Sequence, residues 1–273
     1  MVVVTGASDG IGAAAARVLA RRGDSVVVVG RSPGKTRAIA AETGAEYHVA
    51  DFAALDQVRD LAAGLQARHP RIDVLVNNAG LIAGARRTVT AAGHELTFQV
   101  NHLAPFLLTV LLKELLVAAQ GRVITTSSSA GTARRAAVVL DDLDMTGSYS
   151  SLRAYMASKL ANVLFTRELA RRWGPLGVSA AAAHPGPVRS QFGRSGSPAI
   201  RLVAKSPLRW AWRSPERGAD TLVWLSTSVP GTDWQNGGYF ADRKPATANP
   251  AADDPDLAAG LWDRSALMCG AQS

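Results

Sequence analysis

Near the start of the chain stands Val2-Val3-Val4-Thr5-Gly6-Ala7-Ser8-Asp9-Gly10-Ile11-Gly12, and an Ala- and Arg-rich stretch runs on to Arg22. Three consecutive valines read as a strand buried on both faces, since a half-exposed strand alternates apolar and polar residues. The glycines end that strand in a tight turn and let the backbone approach a ligand closely. The helix that follows points its unpaired first-turn N–H groups and its positive dipole end at the same place. Strand, glycine turn and helix in this order make a cradle for a diphosphate. The spacing is Gly-x3-Gly-x-Gly rather than the commoner Gly-x-Gly-x-x-Gly. A plain strand-to-helix turn uses the same residue types, and it is the position after a first strand that favours a dinucleotide. Gly6, Ser8, Asp9, Gly10, Ile11 and Gly12 are therefore candidate cofactor contacts.

Further along the chain, apolar runs alternate with helical patterns. Val26–Val29, Tyr47–Val49, Val74–Val76, Val123–Thr126 and Val178–Ala183 read as further strands. Ile11–Arg22, Lys35–Ala41, Leu55–Arg68, Pro105–Leu116 and Leu152–Trp173 read as helices. Such alternation predicts an α/β fold, doubly wound, with a mostly parallel sheet between two helical layers. No repeat or linker divides residues 1–273, so a single domain is expected. Two stretches break the rhythm, Ala133–Ser151 and Ser190–Ser214, and loops of that length in a compact domain are usually functional.

The end of the second strand bears on which dinucleotide fits. An acidic residue about 20 positions beyond the glycine turn bonds the ribose 2′-hydroxyl of NAD, whereas an Arg accommodates the 2′-phosphate of NADP. Here Val29 leads into Gly30-Arg31-Ser32, with Lys35 close behind. The carboxylate is absent and a planar guanidinium fork is present. Arg31, Ser32 and Lys35 thus favour NADP(H), with NAD(H) as the alternative.

Tyr155 and Lys159 lie four residues apart within a helical pattern, which puts them on one face about one turn apart. An ammonium beside a phenol favours the phenolate, so Lys159 is expected to lower the Tyr155 pKa and make it a general acid or base for a carbonyl/alcohol pair. Ser127-Ser128-Ser129 end the strand from Val123 and offer a hydroxyl to a substrate oxygen.

These pieces, in this order, resemble the short-chain dehydrogenase/reductase family, and most of all its retinol-dehydrogenase-like branch. The resemblance rests on TGASDGIG at 5–12, NNAG at 77–80, FQVNHLAPFLLT at 98–109, SSSAG at 127–131, YSSLRAYMASKLANVLFTRELARR at 149–172, HPGPVRS at 184–190, GGYF at 237–240 and LWDRS at 261–265. It implies a Rossmann-type, seven-stranded sheet and an active-site tetrad of Asn101, Ser128, Tyr155 and Lys159. In that tetrad Asn101 holds a water of a proton relay through the helix backbone, and Ser128 orients the substrate oxygen. Tyr155 moves the proton, while Lys159 bonds the nicotinamide ribose. Asp51 and Phe52 match the adenine-contacting pair, and Asn78, Ala79 and Gly80 match the stretch beside the adenosine ribose. Pro185, Gly186 and Val188 match the backbone facing the nicotinamide. Ser190 stands where the family usually has Thr, and either hydroxyl can bond the carboxamide. The gap from Ser128 to Tyr155 is longer than the family's common spacing and fits the retinol-dehydrogenase-like pattern. Segment 190–214, which mixes Phe192, Leu202, Trp210 and Trp212 with Arg194, Arg201 and Arg209, is expected to be a substrate lid, a membrane contact, or both.

The implied activity is hydride transfer between NADP(H) and a carbonyl/alcohol pair on a lipophilic small molecule. The alternative is a catalytically silent dinucleotide-binding regulator, and retention of the tetrad argues against it. The net charge of +8 raises nucleic acid as a partner, but no nucleic-acid-binding module is recognisable, so none is expected. Only five of the 30 basic residues are Lys, which marks an Arg-rich composition more than a binding signal. One cysteine, Cys269, excludes an internal disulfide and reads as an exposed thiol. The five histidines, His48, His69, His94, His102 and His184, show no metal-ligand spacing, and no metal is expected. With no bilayer-length apolar run and no signal-peptide pattern, the expected compartment is the cytoplasm, as a monomer or homo-oligomer.

Overall fold

The computed structural model of the chain describes residues 1–188 and 212–271. Its centre is one sheet in the order β3-β2-β1-β4-β5-β6-β7-β8. The strands are β1 (Val2–Thr5), β2 (Val26–Gly30), β3 (Glu46–Val49), β4 (Val74–Asn77), β5 (Arg122–Thr126), β6 (Ser179–Ala183), β7 (Tyr239–Ala241) and β8 (Lys244–Pro245). Every pairing is parallel except β7 with β8.

The valine runs sit where both faces are covered. On one face Val3, Val27, Val29, Leu75, Val123 and Ala182 join a core with α3 (Leu55–Arg68), α5 (Ala104–Leu111) and α7 (Ser151–Trp173). On the other, Val2, Val4, Val28, Val76, Ile124 and Ala181 pack with α1 (Gly10–Arg21) and the Pro215–Thr227 helix. Alternate residues of each strand thus feed opposite cores, and each buried branched side chain contributes about 1.5–3 kcal/mol. Ala13–Ala16 are buried in α1, and their small side chains let that helix lie close to the sheet. A second helix on β2's side, α2 (Pro33–Thr43), begins just after Arg31 and Ser32.

Three expectations are corrected. The sheet has eight strands rather than seven, because β7 turns back on itself through Asp242 and Arg243. Both residues have positive φ, 51° and 59°, the geometry of a two-residue hairpin turn whose twist matches its strands. Non-glycine residues at such angles carry strain, and each is tied down: Asp242 by the Arg213 guanidinium, Arg243 by the Asp220 carboxylate.

The helix expected over Pro105–Leu116 begins earlier and breaks sooner. It starts as α4 (Leu96–Phe98), widens into a π turn at Gln99–Leu103, and continues as α5; Leu112 then separates α5 from α6 (Lys113–Ala118). Pro105 opens a new hydrogen-bonding register rather than the helix itself, because it has no N–H to give to the preceding turn.

Cys269 is buried, not exposed. It lies on the inner face of the Pro255–Cys269 helix, its thiol against the Leu103 carbonyl, and burial pushes its pKa up to about 12. Of the expected loops, Ala133–Ser151 is irregular apart from a short 3-10 turn at Leu140–Asp142 and the start of α7 at Ser151. The proposed lid lies outside the described residues except at Trp212–Ser214. Among the described residues no helix is long and apolar enough to cross a membrane.

Candidate active site

The chain runs β1, β2, β3 to one edge and then returns to place β4 on the other side of β1. At such a reversal the loops leaving neighbouring strands diverge and open a crevice at their carboxyl ends. A cleft of about 420 Å³ lies there.

One end is built by the glycine turn. Gly6 has φ +64°, and a Cβ there would sit 2.7 Å from the Ala79 Cα; a Cβ on Gly12 would come within 2.4 Å of the Gly6 carbonyl oxygen. The turn therefore closes tightly onto the end of β4. Thr5 fastens the two strands: its hydroxyl accepts from the Asn78 and Ala79 amides, at 3.0 and 3.1 Å, and donates to the Val76 carbonyl. Asp9 caps α1, accepting from the Gly10 amide at 2.7 Å, and its other oxygen takes the Lys35 ammonium at 2.8 Å. Gly30 has no room for a side chain, since a Cβ would meet the Thr36 hydroxyl at 2.4 Å and the Ser8 Cβ at 2.7 Å. An acidic residue at that position is excluded by packing, while Arg31 stands exposed beside it.

All of the candidate residues Gly6, Ser8, Asp9, Gly10, Ile11, Arg31, Ser32, Lys35, Asp51, Phe52, Asn78, Ala79, Gly80, Ser128, Tyr155, Lys159, Pro185, Gly186 and Val188 line this one cleft. Gly12 and Asn101 lie behind its wall, and Ser190 falls outside the described residues. A cradle that admits no Cβ, a helix N-terminus aimed at it and a basic rim together fit a dinucleotide diphosphate.

The other end carries the hydroxyl groups. The 3-10 turn Ser129–Thr132 presses on α7 at Lys159, and a Cβ on Gly131 would lie 2.7 Å from the Lys159 carbonyl carbon. This close contact brings the end of β5 against Tyr155. The three serines then part company. Ser127 is buried and donates to the Lys159 carbonyl at 2.7 Å, and Ser129 is exposed. Ser128 is the one whose hydroxyl pairs with the Tyr155 phenol. Lys159 is 3 % exposed; its ammonium donates to the Thr126 carbonyl at 3.0 Å and stands 5.8 Å from the Tyr155 ring centre.

Asn101 is fully buried in the π turn. Its side chain joins the Leu81 main chain to Ser158, donating to the Leu81 carbonyl at 2.9 Å and the Ser158 hydroxyl at 3.0 Å and accepting from the Leu81 amide at 2.7 Å. Its carbonyl meets no donor four residues on, because that residue is Pro105.

The expected effect of Lys159 on Tyr155 is corrected here. Burial dominates both groups: it pushes the Tyr155 phenol up to about 12, with the Ser128 hydrogen bond pulling the other way, and brings the Lys159 ammonium down to about 8. One N–H of the Lys159 ammonium is given to the Thr126 carbonyl. Sequence reasoning also passed over Thr5, Thr126 and Asn162, which fasten the walls of the cleft. Gly6-Ala7-Ser8-Asp9-Gly10 also has the Gly-x-Ser-x-Gly spelling of a hydrolase elbow, yet among the described residues no His lines the cleft as a base for Ser8.

The comparisons with known proteins agree with this geometry. The family model described as short chain dehydrogenase matches residues 1–140. The chain is 44 % identical, over 98 % of its length and 92 % of the relative's, to the Streptomyces sp. (strain C5) protein named "Putative daunorubicin C-13 ketoreductase DnrU". It is 38 % identical to human retinol dehydrogenase 13, over 100 % of this chain and 85 % of that one. Among solved structures, a short chain dehydrogenase from Escherichia coli CFT073 complexed with NADPH superposes with a TM-score of 0.66 at 28 % identity, covering 89 % of this chain and 96 % of that one. With the fold, the cleft and these relatives in agreement, the chain belongs to the short-chain dehydrogenase/reductase family.

Proposed function

We propose that the protein is an NADP(H)-dependent reductase of lipophilic ketones or aldehydes in which Tyr155 moves the proton. Family membership makes it an NAD(P)-dependent oxidoreductase acting on CH–OH or C=O groups. The observation that carries the finer reading is the Tyr155 phenol paired with Ser128 inside the cleft, with buried Lys159 one helical turn away. A bound nicotinamide dinucleotide supplies the hydride. Gly6, Gly10 and the first turn of α1 are the groups that would hold its diphosphate, Arg31 and Lys35 a 2′-phosphate, and Lys159 the nicotinamide ribose.

The rest of the chemistry belongs to the chain. Ser128 fixes the substrate carbonyl oxygen by a hydrogen bond, and Tyr155 donates its phenolic proton to that oxygen as it becomes a hydroxyl. A phenol whose burial keeps it protonated at neutral pH is loaded for reduction. Asn101, buried in the π turn behind Lys159, is the residue that would hold a relay water. Leu81, Ile82 and Val100 give the cleft an apolar wall, which suits a lipophilic substrate, as the ketoreductase and retinol dehydrogenase names of its relatives do.

Consumption of NADPH and of NADH, followed at 340 nm against a panel of lipophilic aldehydes and ketones, tests this reading. Turnover with a preference for NADPH is expected. A clear NADH preference overturns the assignment of Arg31, and no turnover with any carbonyl overturns the reductase.

A further inference from the structure

Tyr239 lies on β7, is 4 % exposed, and belongs to neither the glycine cradle nor the group that moves the proton. Its backbone is fixed in register: it pairs with Ala182 of β6, and its carbonyl accepts from the Ala246 amide at 2.8 Å. Its side chain reaches two loops that leave neighbouring strands. The hydroxyl donates to the Ser128 carbonyl at 3.3 Å and lies against the Ser127 hydroxyl. The ring rests on His184, with centres 5.6 Å apart and planes inclined at 34°. His184 begins the turn containing Pro185 and Gly186, and its Nδ1 accepts from the Gly186 amide at 3.3 Å.

One residue thus touches the loop that holds the substrate-orienting hydroxyl and the loop that walls the cleft opposite it. The same chain of contacts runs on into α7, because the Ser127 hydroxyl donates to the Lys159 carbonyl. The phenol of Tyr239 is itself pushed up by burial and by the neighbouring Tyr155, so it stays protonated at neutral pH and serves as the hydrogen-bond donor to the Ser128 carbonyl.

We propose that Tyr239 is a positioning residue: its hydroxyl fixes the Ser128 main chain, and its ring fixes the His184–Gly186 turn, so that the Ser128–Tyr155 pair and the opposing wall of the cleft keep a set separation. This rests on the reductase reading for its kinetic consequence but not for its geometric one. Tyr239→Phe removes only the hydroxyl and keeps the packing; Tyr239→Leu removes the ring as well.

Two measurements test it. In protein labelled at the tyrosine Cζ with carbon-13, the four tyrosines give four NMR signals, and Tyr155→Phe and Tyr239→Phe identify two of them. Loss of the Tyr239 hydroxyl is expected to shift the Tyr155 signal while those of Tyr47 and Tyr149 stay in place. An unmoved Tyr155 signal overturns the proposal whether or not a substrate is known. In steady-state assays Tyr239→Phe is expected to lower kcat about tenfold with KM for NADPH unchanged, and Tyr239→Leu to raise that KM as well. Wild-type kcat in Tyr239→Phe overturns the proposal. A wild-type protein that reduces no carbonyl removes the reductase reading alone, and the NMR result still decides the role of Tyr239.

Discussion

Replacing Lys159 by Met separates what this side chain does for the site from what it does to the fold. Its ammonium is buried, and burial lowers its pKa from 10.5 to about 8. That difference corresponds to roughly 3 kcal/mol at ~1.36 kcal/mol per pH unit. The sign follows from linkage. Between pH 8 and 10.5 the unfolded chain keeps a proton here that the folded protein has released, so stability rises with pH across that window. Below pH 8 the folded protein holds a buried ammonium and carries the whole cost. Met fills a similar volume without the charge. Its gain at pH 7 is offset in part by loss of the bond to the Thr126 carbonyl, about 1.5–3 kcal/mol for a charged donor. That carbonyl still receives Asn162 Nδ2 at 3.2 Å. Lys159→Met is therefore expected to be as stable as the wild type or up to about 2 kcal/mol more stable at pH 7. Urea unfolding of both proteins at pH 7, 8, 9 and 9.5 measures the difference. It should shrink or reverse by about 2 kcal/mol over that range, since only the wild type titrates Lys159. Taking the difference between the two proteins cancels Cys269 and the other shared groups. A difference that stays constant with pH refutes the argument that Lys159 is held at a depressed pKa.

Other substitutions report on the cofactor end. Arg31→Ala should weaken NADPH about tenfold and leave NADH nearly unchanged, as the loss of one charge-assisted phosphate bond implies; KM values for the two cofactors check it. Asp9→Asn should tighten NADPH a few-fold, because it removes an anion from the rim and frees Lys35 from an exposed ion pair of about 0–1 kcal/mol. Gly12→Ala drives a Cβ to 2.4 Å from the Gly6 carbonyl; a stability loss of about 1–3 kcal/mol and weaker NADPH binding should appear in thermal melts and in fluorescence titration.

What the sequence reveals here follows the range of the interactions involved. The Val2–Val4 strand, the glycine turn and the pairing of Tyr155 with Lys159 on one helix face depend on neighbours within a turn or two, and all are legible. The absent carboxylate at Gly30 is legible too, but its cause, the Thr36 hydroxyl and Ser8 packed against that position, is not. Among three identical serines only the family resemblance picks out Ser128; the physical reason, a 3-10 turn pressing on α7 that sets Ser127 on the Lys159 carbonyl and Ser128 at Tyr155, belongs to the fold. The proton affinity of Tyr155 is not legible in the sequence, because desolvation is a property of the folded surroundings and outweighs the charge of a nearby Lys. Tyr239 escaped notice as a functional residue because its contacts lie 111 positions away in Ser128 and become adjacent only when β5, β6 and β7 line up.

In the proposed reaction hydride passes to a carbonyl carbon while Tyr155 delivers the proton. Reduction of a responsive ketone with NADPH bearing deuterium at the transferable C4 position, followed by mass spectrometry of the alcohol, tests it most directly. One deuterium on the carbinol carbon is expected with the wild-type protein, and a kcat lowered about 10²–10⁴-fold in Tyr155→Phe with NADPH still bound. An alcohol without the label, or full turnover by Tyr155→Phe, would contradict it.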